Sequence, residues 1–218
     1  MIIEKLELEN YRNFEKETVL LNPEVNVIRG MNAQGKTNFL EAIYLFSSAK
    51  SHRPVGEKDL IRFGQDSLKI KMDFRSGDIP LHGEINISQD EKRKIAFNGI
   101  PVKKNMLLSE YFKTVLFTPE DLEIIKGEKE LRRNLLDDAI CILKPNYAHI
   151  LKDYNKCIKQ KNSLLKSENI SNLIPTIDIW NQRLCEYGAR LVMYRDSFSK
   201  LLEKYCCQNM LDLTSGAE

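Results

Sequence analysis

The stretch Gly30-Met31-Asn32-Ala33-Gln34-Gly35-Lys36-Thr37 decides the fold that we expect for this chain. It matches the pattern G-x-x-x-x-G-K-[ST], the P-loop, in which backbone N–H groups and a lysine surround the phosphates of a nucleotide. Residues 25–28 are apolar enough to form a buried strand, and Phe39 to Leu45 has the apolar spacing of a helix. This motif requires a strand before it and a helix after it, so the sequence predicts an α/β nucleotide-binding protein.

Each part of the motif has a chemical role. The two glycines let the backbone turn toward phosphate oxygens, and the N-terminus of the following helix adds partial positive charge. Lys36 can reach the β- and γ-phosphates, while the Thr37 hydroxyl can ligate Mg²⁺. We therefore predict that ATP and Mg²⁺ bind here, with Mg²⁺ at Thr37, on the residues Gly30, Met31, Asn32, Ala33, Gln34, Gly35, Lys36, Thr37 and Asn38.

Composition excludes several other classes of protein. The 218 residues carry 33 basic and 31 acidic side chains, a net charge of +2, which does not indicate a strongly basic surface but leaves room for a local basic patch. Five cysteines without a C-x-x-C pair are typical of reduced thiols and predict a cytoplasmic protein. No apolar run is long enough to span a membrane, and the three histidines lack the spacing of a zinc site.

The first half of the chain shows the patterns of an antiparallel sheet. Several segments alternate apolar and polar residues, as half-buried strands do. An Asn98-Gly99 pair between two short apolar runs predicts a hairpin with a type I′ turn. The predicted strands are Ile2 to Glu9, Thr18 to Leu21, Leu68 to Phe74, Leu81 to Ile87, Lys94 to Phe97 and Ile100 to Val102.

The composition changes near residue 119 to a helical pattern. From Lys144-Pro145 to Lys166 the apolar spacing is helical and the exposed positions are rich in lysine. A loop at Ser167–Pro175 and a second helix from Thr176 to about Cys206 would complete an αα-hairpin. We predict two domains, 1–118 and 119–218. The second is either a packing subdomain or an arm that contacts a partner.

A working P-loop ATPase also needs an acidic group that helps to hold Mg²⁺. Asn134-Leu135-Leu136-Asp137-Asp138 places acids after apolar residues, but its periodicity is helical, so an exposed acidic turn is the simpler interpretation. The stretch 213–218, Leu-Thr-Ser-Gly-Ala-Glu, is similar to the L-S-G-G-[QE] signature of ABC-type ATPases, but a turn after a helix explains it more simply.

Several stretches together resemble the RecF family, SMC-like ABC-type ATPases of bacterial gap repair. They are Leu8-Glu9-Asn10-Tyr11-Arg12-Asn13-Phe14, the P-loop through Asn38, Lys50-Ser51-His52-Arg53 with Leu60-Ile61-Arg62-Phe63-Gly64, Phe117-Thr118-Pro119-Glu120-Asp121-Leu122, and Lys126 to Asp137. In the last stretch Glu128-Lys129 stands where the family has a proline, and Leu135-Leu136 stands where it has Phe-Leu.

The resemblance implies a fold and a larger protein. Residues 1–118 would be the N-terminal half of a P-loop ABC-type ATPase head, an α/β unit with a mixed sheet that includes antiparallel strands. Residues 119–218 would be an all-helical subdomain. The catalytic residues, namely the Walker B acid and the signature motif, are then expected beyond Glu218. Arg12 and Asn13 are expected to approach the nucleotide.

The resemblance also implies a mechanism and partners. ATP would join two full-length heads into a homodimer that binds double-stranded DNA beside single-strand gaps, and slow hydrolysis would release it. A RecR-type recombination mediator is the expected protein partner, in replication, recombination and the SOS response to DNA damage. The candidate DNA contacts are lysines and arginines of the helical arm, together with Lys103-Lys104 and Arg132-Arg133.

Other classes of protein remain open from the sequence alone. One is a self-contained P-loop nucleotide kinase or NTPase, although no substrate-binding lid motif is evident. A second is the ATPase subunit of a transporter. A third is an interaction module that binds ATP without hydrolysing it.

Overall fold

The structure is a computed structural model that describes residues 1–102, 108–166 and 170–214. The contacts within it divide the chain into two compact units, Met1–Leu116 and Phe117–Glu218, which are described separately. The assignment of 1–118 to half of an ATPase head and of 119–218 to a helical arm stays a prediction. Within the described ranges, no helix combines the length and the apolar composition needed to cross a bilayer.

The first unit contains a six-stranded antiparallel sheet. The predicted antiparallel strands are confirmed. The pair Asn98 and Gly99 has φ values of 49° and 75°, as a type I′ turn requires. The strands are β1 (Ile2–Tyr11), β2 (Phe14–Leu20), β3 (Ser67–Ser76), β4 (Ile79–Ser88), β5 (Lys94–Phe97) and β6 (Ile100–Pro101). Their order across the sheet is β2-β1-β3-β4-β5-β6.

One face of this sheet forms the core of the unit. Side chains alternate between the two faces of a strand, so every second residue along the central parts of β1, β3 and β4 is buried on the same face of the sheet. Helix α1 (Lys36–Ser48), which was predicted from Phe39 to Leu45, adds Phe39, Ala42, Leu45 and Phe46 to the same cluster of buried residues. The helix that follows the P-loop is thereby anchored by its apolar face.

The strand predicted at residues 25–28 is absent, and that prediction is wrong. The segment forms no described strand, and its apolar side chains are exposed, Val25 by 74% and Val27 by 76%. A strand needs a neighbour to accept and donate its backbone hydrogen bonds. No strand of the described sheet pairs with this segment, nor with residues 113–117, where Val115 is fully exposed.

The second unit is helical. A 3₁₀ turn at Pro119–Leu122 leads into α2 (Glu123–Lys126), α3 (Lys129–Leu143), α4 (Pro145–Leu165) and α5 (Ile170–Thr214). Helices α4 and α5 contact each other, as the predicted αα-hairpin requires. However, α5 is longer than predicted at both ends, because it begins at Ile170 and includes Pro175, where the sequence predicted a loop. Residues 167–169 of the predicted loop lie outside the described residues.

The core of the helical unit joins α3, α4 and α5. Ile140, Tyr147, Ile150 and Leu191 are buried together. Beside them, Arg195 donates from Nε to Oδ1 of Asp137 and from Nη2 to Oδ2, both at 2.8 Å. The Tyr147 hydroxyl also donates to Asp137. Burial is the main cause that raises the pKa of Tyr147, and this hydrogen bond raises it further. Asp137, the candidate Mg²⁺ acid, lies within a helix and is held by these two partners.

Replacing Arg195 with methionine is expected to destabilise the helical unit by about 2 kcal/mol, because it leaves the largely buried carboxylate of Asp137 without its cation. The single tryptophan, Trp180, lies on α5 and reports urea unfolding of this unit by fluorescence. The matched control is Arg190→Met, whose exposed pair with Glu186 should contribute less than about 1 kcal/mol. Equal losses for both variants would show that the Asp137 contact adds nothing.

Candidate nucleotide-binding site

The P-loop leads from irregular backbone directly into α1. Ala33 and Gly35 have φ values of 65° and 94°, and α1 begins at Lys36. The Lys36 ammonium donates to the carbonyl oxygens of Gly30 at 2.7 Å and Met31 at 2.6 Å, so it lies within the curve of the loop. The first N–H groups of a helix have no partner within it, and no acidic residue lies in the first turn of α1. The helix predicted after the loop is therefore present, with Lys36 at its start, and the binding of phosphate by these groups stays a prediction.

Gly35 is packed against the turn between β1 and β2. A Cβ atom built there would lie 2.7 Å from the Asn13 side-chain amide and 2.8 Å from Cζ of Phe14. The backbone also has a φ of 94°, which residues with a side chain rarely adopt. Both the space and the backbone conformation therefore require glycine at this position, independently of any nucleotide.

Replacing Gly35 with alanine is expected to destabilise the first unit by about 2 kcal/mol or more, because it combines a clash with an unfavourable φ. Gly77→Ala is the matched control: its φ is 62°, but no atom lies within 4 Å of the added Cβ, so only the backbone strain of about 1 kcal/mol remains. Amide hydrogen exchange of β1 measures both losses. A cost at Gly35 no larger than that at Gly77 would remove the steric argument.

A chain of three side chains connects the turn, the loop and the segment after α1. Asn13 donates to the Gln34 carbonyl at 3.3 Å and accepts from the Asn38 amide at 2.9 Å. Arg53 then donates from Nη1 to Oδ1 of Asn38 at 3.0 Å. The structure thus brings Asn13 and Asn38 against the P-loop, and it adds Arg53, which the sequence analysis did not place in the site.

A buried carboxylate lies beneath the loop, one turn into α1. Glu41 is fully buried and accepts from the Tyr11 hydroxyl at 2.7 Å, from Arg12 Nε at 2.9 Å and Nη2 at 2.8 Å, and from Ser51 at 2.5 Å. Burial alone would raise its pKa, but the hydrogen bonds from Arg12, Ser51 and Tyr11 outweigh this and lower the pKa to about 2. Glu41 therefore stays ionised and fastens α1 to the β1–β2 turn and to the segment after α1.

Arg12 and Asn13 have different surroundings. The sequence analysis expected both to approach the nucleotide, and only Asn13 directly contacts the P-loop. The Arg12 guanidinium forms a two-pronged pair with Glu41 and donates from Nη1 to the Asp59 carbonyl at 3.1 Å. Its place at the nucleotide stays a prediction, and the contacts assign it the positioning of α1.

A signal for Glu41 was present in the sequence. Glu41 occupies a position on the face of α1 that also carries the buried Phe39, Ala42 and Leu45. A carboxylate among apolar positions of a helix requires partners, because burying an unpaired charge is costly. Its partners, however, lie 10 to 30 positions away in the chain, where no local pattern identifies them.

Thr37 is the predicted Mg²⁺ ligand. Its side chain is exposed in the first turn of α1, next to Lys36, and its hydroxyl is the kind of hard oxygen that Mg²⁺ prefers. Within the described residues, no group of three His, Cys, Asp or Glu side chains could hold a metal ion. Thr37 fits a Mg²⁺ site in which phosphate oxygens and water supply the other ligands.

The other residues singled out by the sequence are the candidate DNA contacts and the signature-like stretch 213–218. Arg132 donates to the carbonyl oxygens of Ile124 at 3.1 Å and Gly127 at 3.0 Å, so it stabilises the turn between α2 and α3, while Arg133 is exposed. Lys103-Lys104 lies outside the described residues. In the stretch 213–218, the first two residues end α5 and the last four lie outside the described residues.

The comparisons with known proteins agree with this geometry. The family described as "AAA ATPase domain" matches residues 1–187. A relative from Lachnospira eligens, named "DNA replication and repair protein RecF", is 38% identical over 221 residues. The match covers 100% of this chain and 61% of that relative, so the chain spans less than two thirds of its length.

Two solved structures show the same fold. One, described as "the recombination mediator protein RecF-ATP in RecFOR pathway", has a TM-score of 0.88 at 30% identity and covers 98% of this chain and 58% of that one. The other is from work on "ATP-driven dimerization and DNA stimulated activation of SMC ATPases". It has a TM-score of 0.51 at 22% identity, covers 64% of this chain and 99% of that one, and supports the fold alone.

The fold and the P-loop thus define a P-loop ATPase head of the ABC type, and the chain belongs to the AAA ATPase domain family. Within that family, its resemblance to RecF is confirmed over the whole of its described length.

Proposed function

We propose that this chain binds ATP and Mg²⁺ as the N-terminal part of a RecF-like DNA replication and repair protein. The observation that carries the proposal is the placement of the Lys36 ammonium inside the P-loop at the start of α1. Asn13 and Asn38 brace the loop from the side, and Thr37 presents its hydroxyl for Mg²⁺. A relative of similar fold is described with ATP, which supports the choice of nucleotide.

The wider mechanism follows from the same assignment. ATP joins two full-length heads into a homodimer, the dimer binds double-stranded DNA beside a single-strand gap, and slow hydrolysis releases it. A RecR-type recombination mediator is the protein partner, and the process takes place in the cytoplasm. The names of the relatives support replication and repair, and the "RecFOR pathway" in the description of one structure supports the recombination partner.

The exposed apolar segments support the assignment of 1–118 to half of a head. Residues 25–28 and 113–117 carry exposed apolar side chains, among them Val25, Val27 and Val115, yet they have no strand partner among the described residues. Strands supplied by a longer polypeptide would pair with them and cover their apolar side chains. The acid that completes the Mg²⁺ site would arrive on such strands, since the pair with Arg195 occupies Asp137.

The experiment is to measure Mg-ATP binding by calorimetry and Mg-ATP turnover on the same 218-residue chain. We expect binding without efficient turnover, because a working P-loop ATPase needs an acid at Mg²⁺, and Asp137, the candidate for this role, is held by Arg195 and Tyr147 in the helical unit. Turnover that is lost in both Lys36→Ala and Asp138→Asn would instead indicate a self-contained nucleotide kinase or NTPase. Absence of ATP binding would refute the proposal outright.

A further inference from the structure

Positive charge is concentrated on one helix of the second unit. Helix α4 contains four lysines and one aspartate, giving a charge of +3, whereas the whole chain has a net charge of +2. The rest of the chain is therefore slightly acidic. The neighbouring helix α5 is different, because acidic residues accompany its basic ones and two of them form pairs, Arg190 with Glu186 and Lys200 with Asp196.

Three of the four lysines form a line along the exposed side of α4. Lys152, Lys156 and Lys159 are spaced by four and three residues, so they project from the same side of the helix. The buried residues Tyr147, Ile150 and Cys157 lie on the opposite side, toward the core of the unit. We call Lys152, Lys156 and Lys159 the α4 lysine stripe.

The α4 lysine stripe is not neutralised within its unit. All three side chains are exposed, and no described carboxylate lies within ion-pair distance of them. The fourth lysine, Lys161, is different, because its ammonium donates to Asn181 of α5 at 2.6 Å. The single acid of the helix, Asp153, is exposed beside the stripe and forms no ion pair with it among the described residues.

We infer that the α4 lysine stripe binds the phosphate backbone of duplex DNA. At 1.5 Å per residue the stripe extends over about 10 Å, a length along which one DNA strand presents about three phosphates. An unpaired stripe of this kind suits a polyanion better than a single anion. The inference rests on the proposed function, since the relatives named for DNA replication and repair identify which polyanion to test.

A membrane surface fits the stripe less well. A helix that lies on a bilayer inserts an apolar face beside its basic face. The apolar face of α4 is instead packed in the core of the unit, where Tyr147, Ile150 and Cys157 are buried. No comparable apolar row borders the stripe, because His149, Asn155, Asn162 and Ser163 are exposed and polar.

The test uses the variant Lys152→Ala/Lys156→Ala/Lys159→Ala in the 218-residue chain. Alanine favours helices, so the variant should keep α4 folded, which circular dichroism checks. Binding to a fluorescein-labelled duplex of about 30 base pairs is measured by anisotropy from about 50 to about 200 mM salt. We expect the slope of log Kd against log salt to fall by about 2.7, close to 0.9 for each of three lost phosphate contacts.

The control variant is Arg190→Ala/Lys200→Ala/Lys204→Ala, which removes the same charge from exposed positions of α5. It should keep the wild-type slope. An unchanged slope in the α4 variant, an equal decrease in both variants, or no duplex binding by the wild type would overturn the inference. Loss of binding to vesicles that contain phosphatidylserine, with duplex binding intact, would also overturn it in favour of a membrane.

The same variants separate this inference from the proposed function. Mg-ATP binding is measured on each of them, and the α4 substitutions lie outside the P-loop unit, so they should leave nucleotide affinity unchanged. If ATP fails to bind but the α4 variant loses its salt-dependent contacts, the nucleotide proposal fails and the DNA surface stands. If ATP binds and the salt slope of the α4 variant is unchanged, the nucleotide proposal stands and the DNA surface is refuted.

Discussion

Replacement of Lys36 with alanine is expected to weaken Mg-ATP binding by about 100-fold or more. Hydrogen bonds to charged groups contribute about 1.5 to 3 kcal/mol each, and a P-loop lysine makes at least two with the phosphates. In the structure the same ammonium also bonds the Gly30 and Met31 carbonyl oxygens, so the variant loses an internal brace of the loop as well. Calorimetric titration of the 218-residue chain with Mg-ATP measures the effect.

Lys58→Ala provides the matched control for Lys36. Lys58 is exposed in the 3₁₀ turn Glu57–Leu60, and its removal changes the net charge equally. It should leave the affinity for Mg-ATP unchanged, which separates loss of a specific contact from loss of general attraction. If Lys36→Ala and Lys58→Ala bind Mg-ATP as the wild type does, the P-loop is not the nucleotide site.

Replacement of Arg12 with methionine is expected to destabilise the first unit by about 3 to 5 kcal/mol, because it leaves the fully buried carboxylate of Glu41 without its cation. Amide hydrogen exchange of β1 measures the loss. Arg75→Met is the control, since the pair of Arg75 with Glu4 is nearly half exposed on both sides and should contribute less than about 1 kcal/mol.

A second substitution tests the cause. The double variant Arg12→Met/Glu41→Leu removes both charges, so it should recover much of the stability that Arg12→Met loses. If Arg12→Met costs no more than Arg75→Met, the pair with Glu41 makes no special contribution to the stability of this unit.

The stability of the wild type should decrease at acidic pH because of the same carboxylate, Glu41. The pKa of Glu41 is lowered from 4.5 to about 2, so its contribution is complete above pH 4.5 and is lost as the pH falls through 2. The shift corresponds to about 3 kcal/mol of unfolding free energy. The double variant lacks this carboxylate, so its stability should depend less on pH in that range.

The sheet and the P-loop could be predicted because their signals are local. Alternation along β3 and β4, and the Asn98-Gly99 turn, depend only on neighbours in the chain. The strand at residues 25–28 could not be judged in this way, because apolar composition does not supply the neighbouring strand that a strand requires. The prediction was wrong for that reason.

The side chains that hold the P-loop and α1 in place could not be predicted from local sequence patterns. Arg53 reaches Asn38 across 15 positions, and Tyr11 reaches Glu41 across 30. The phosphate-binding residues were predicted from a local motif and stay a prediction, whereas the side chains that hold the motif in place come from three separate segments. Only the packing of α1 on the sheet brings these segments together.

The ion pair between Asp137 and Arg195 affects how far the end of α5 moves when the helix tilts. Helix α5 has 45 residues and is therefore about 67 Å long, and this ion pair fastens it to α3 a little beyond its midpoint. The far end at Thr214 lies about 28 Å from Arg195, so a tilt of about 5° around the ion pair would move it by about 2.5 Å. A small rearrangement of α3 that tilted α5 would thus produce a larger displacement at the C-terminal end of α5 than at Arg195.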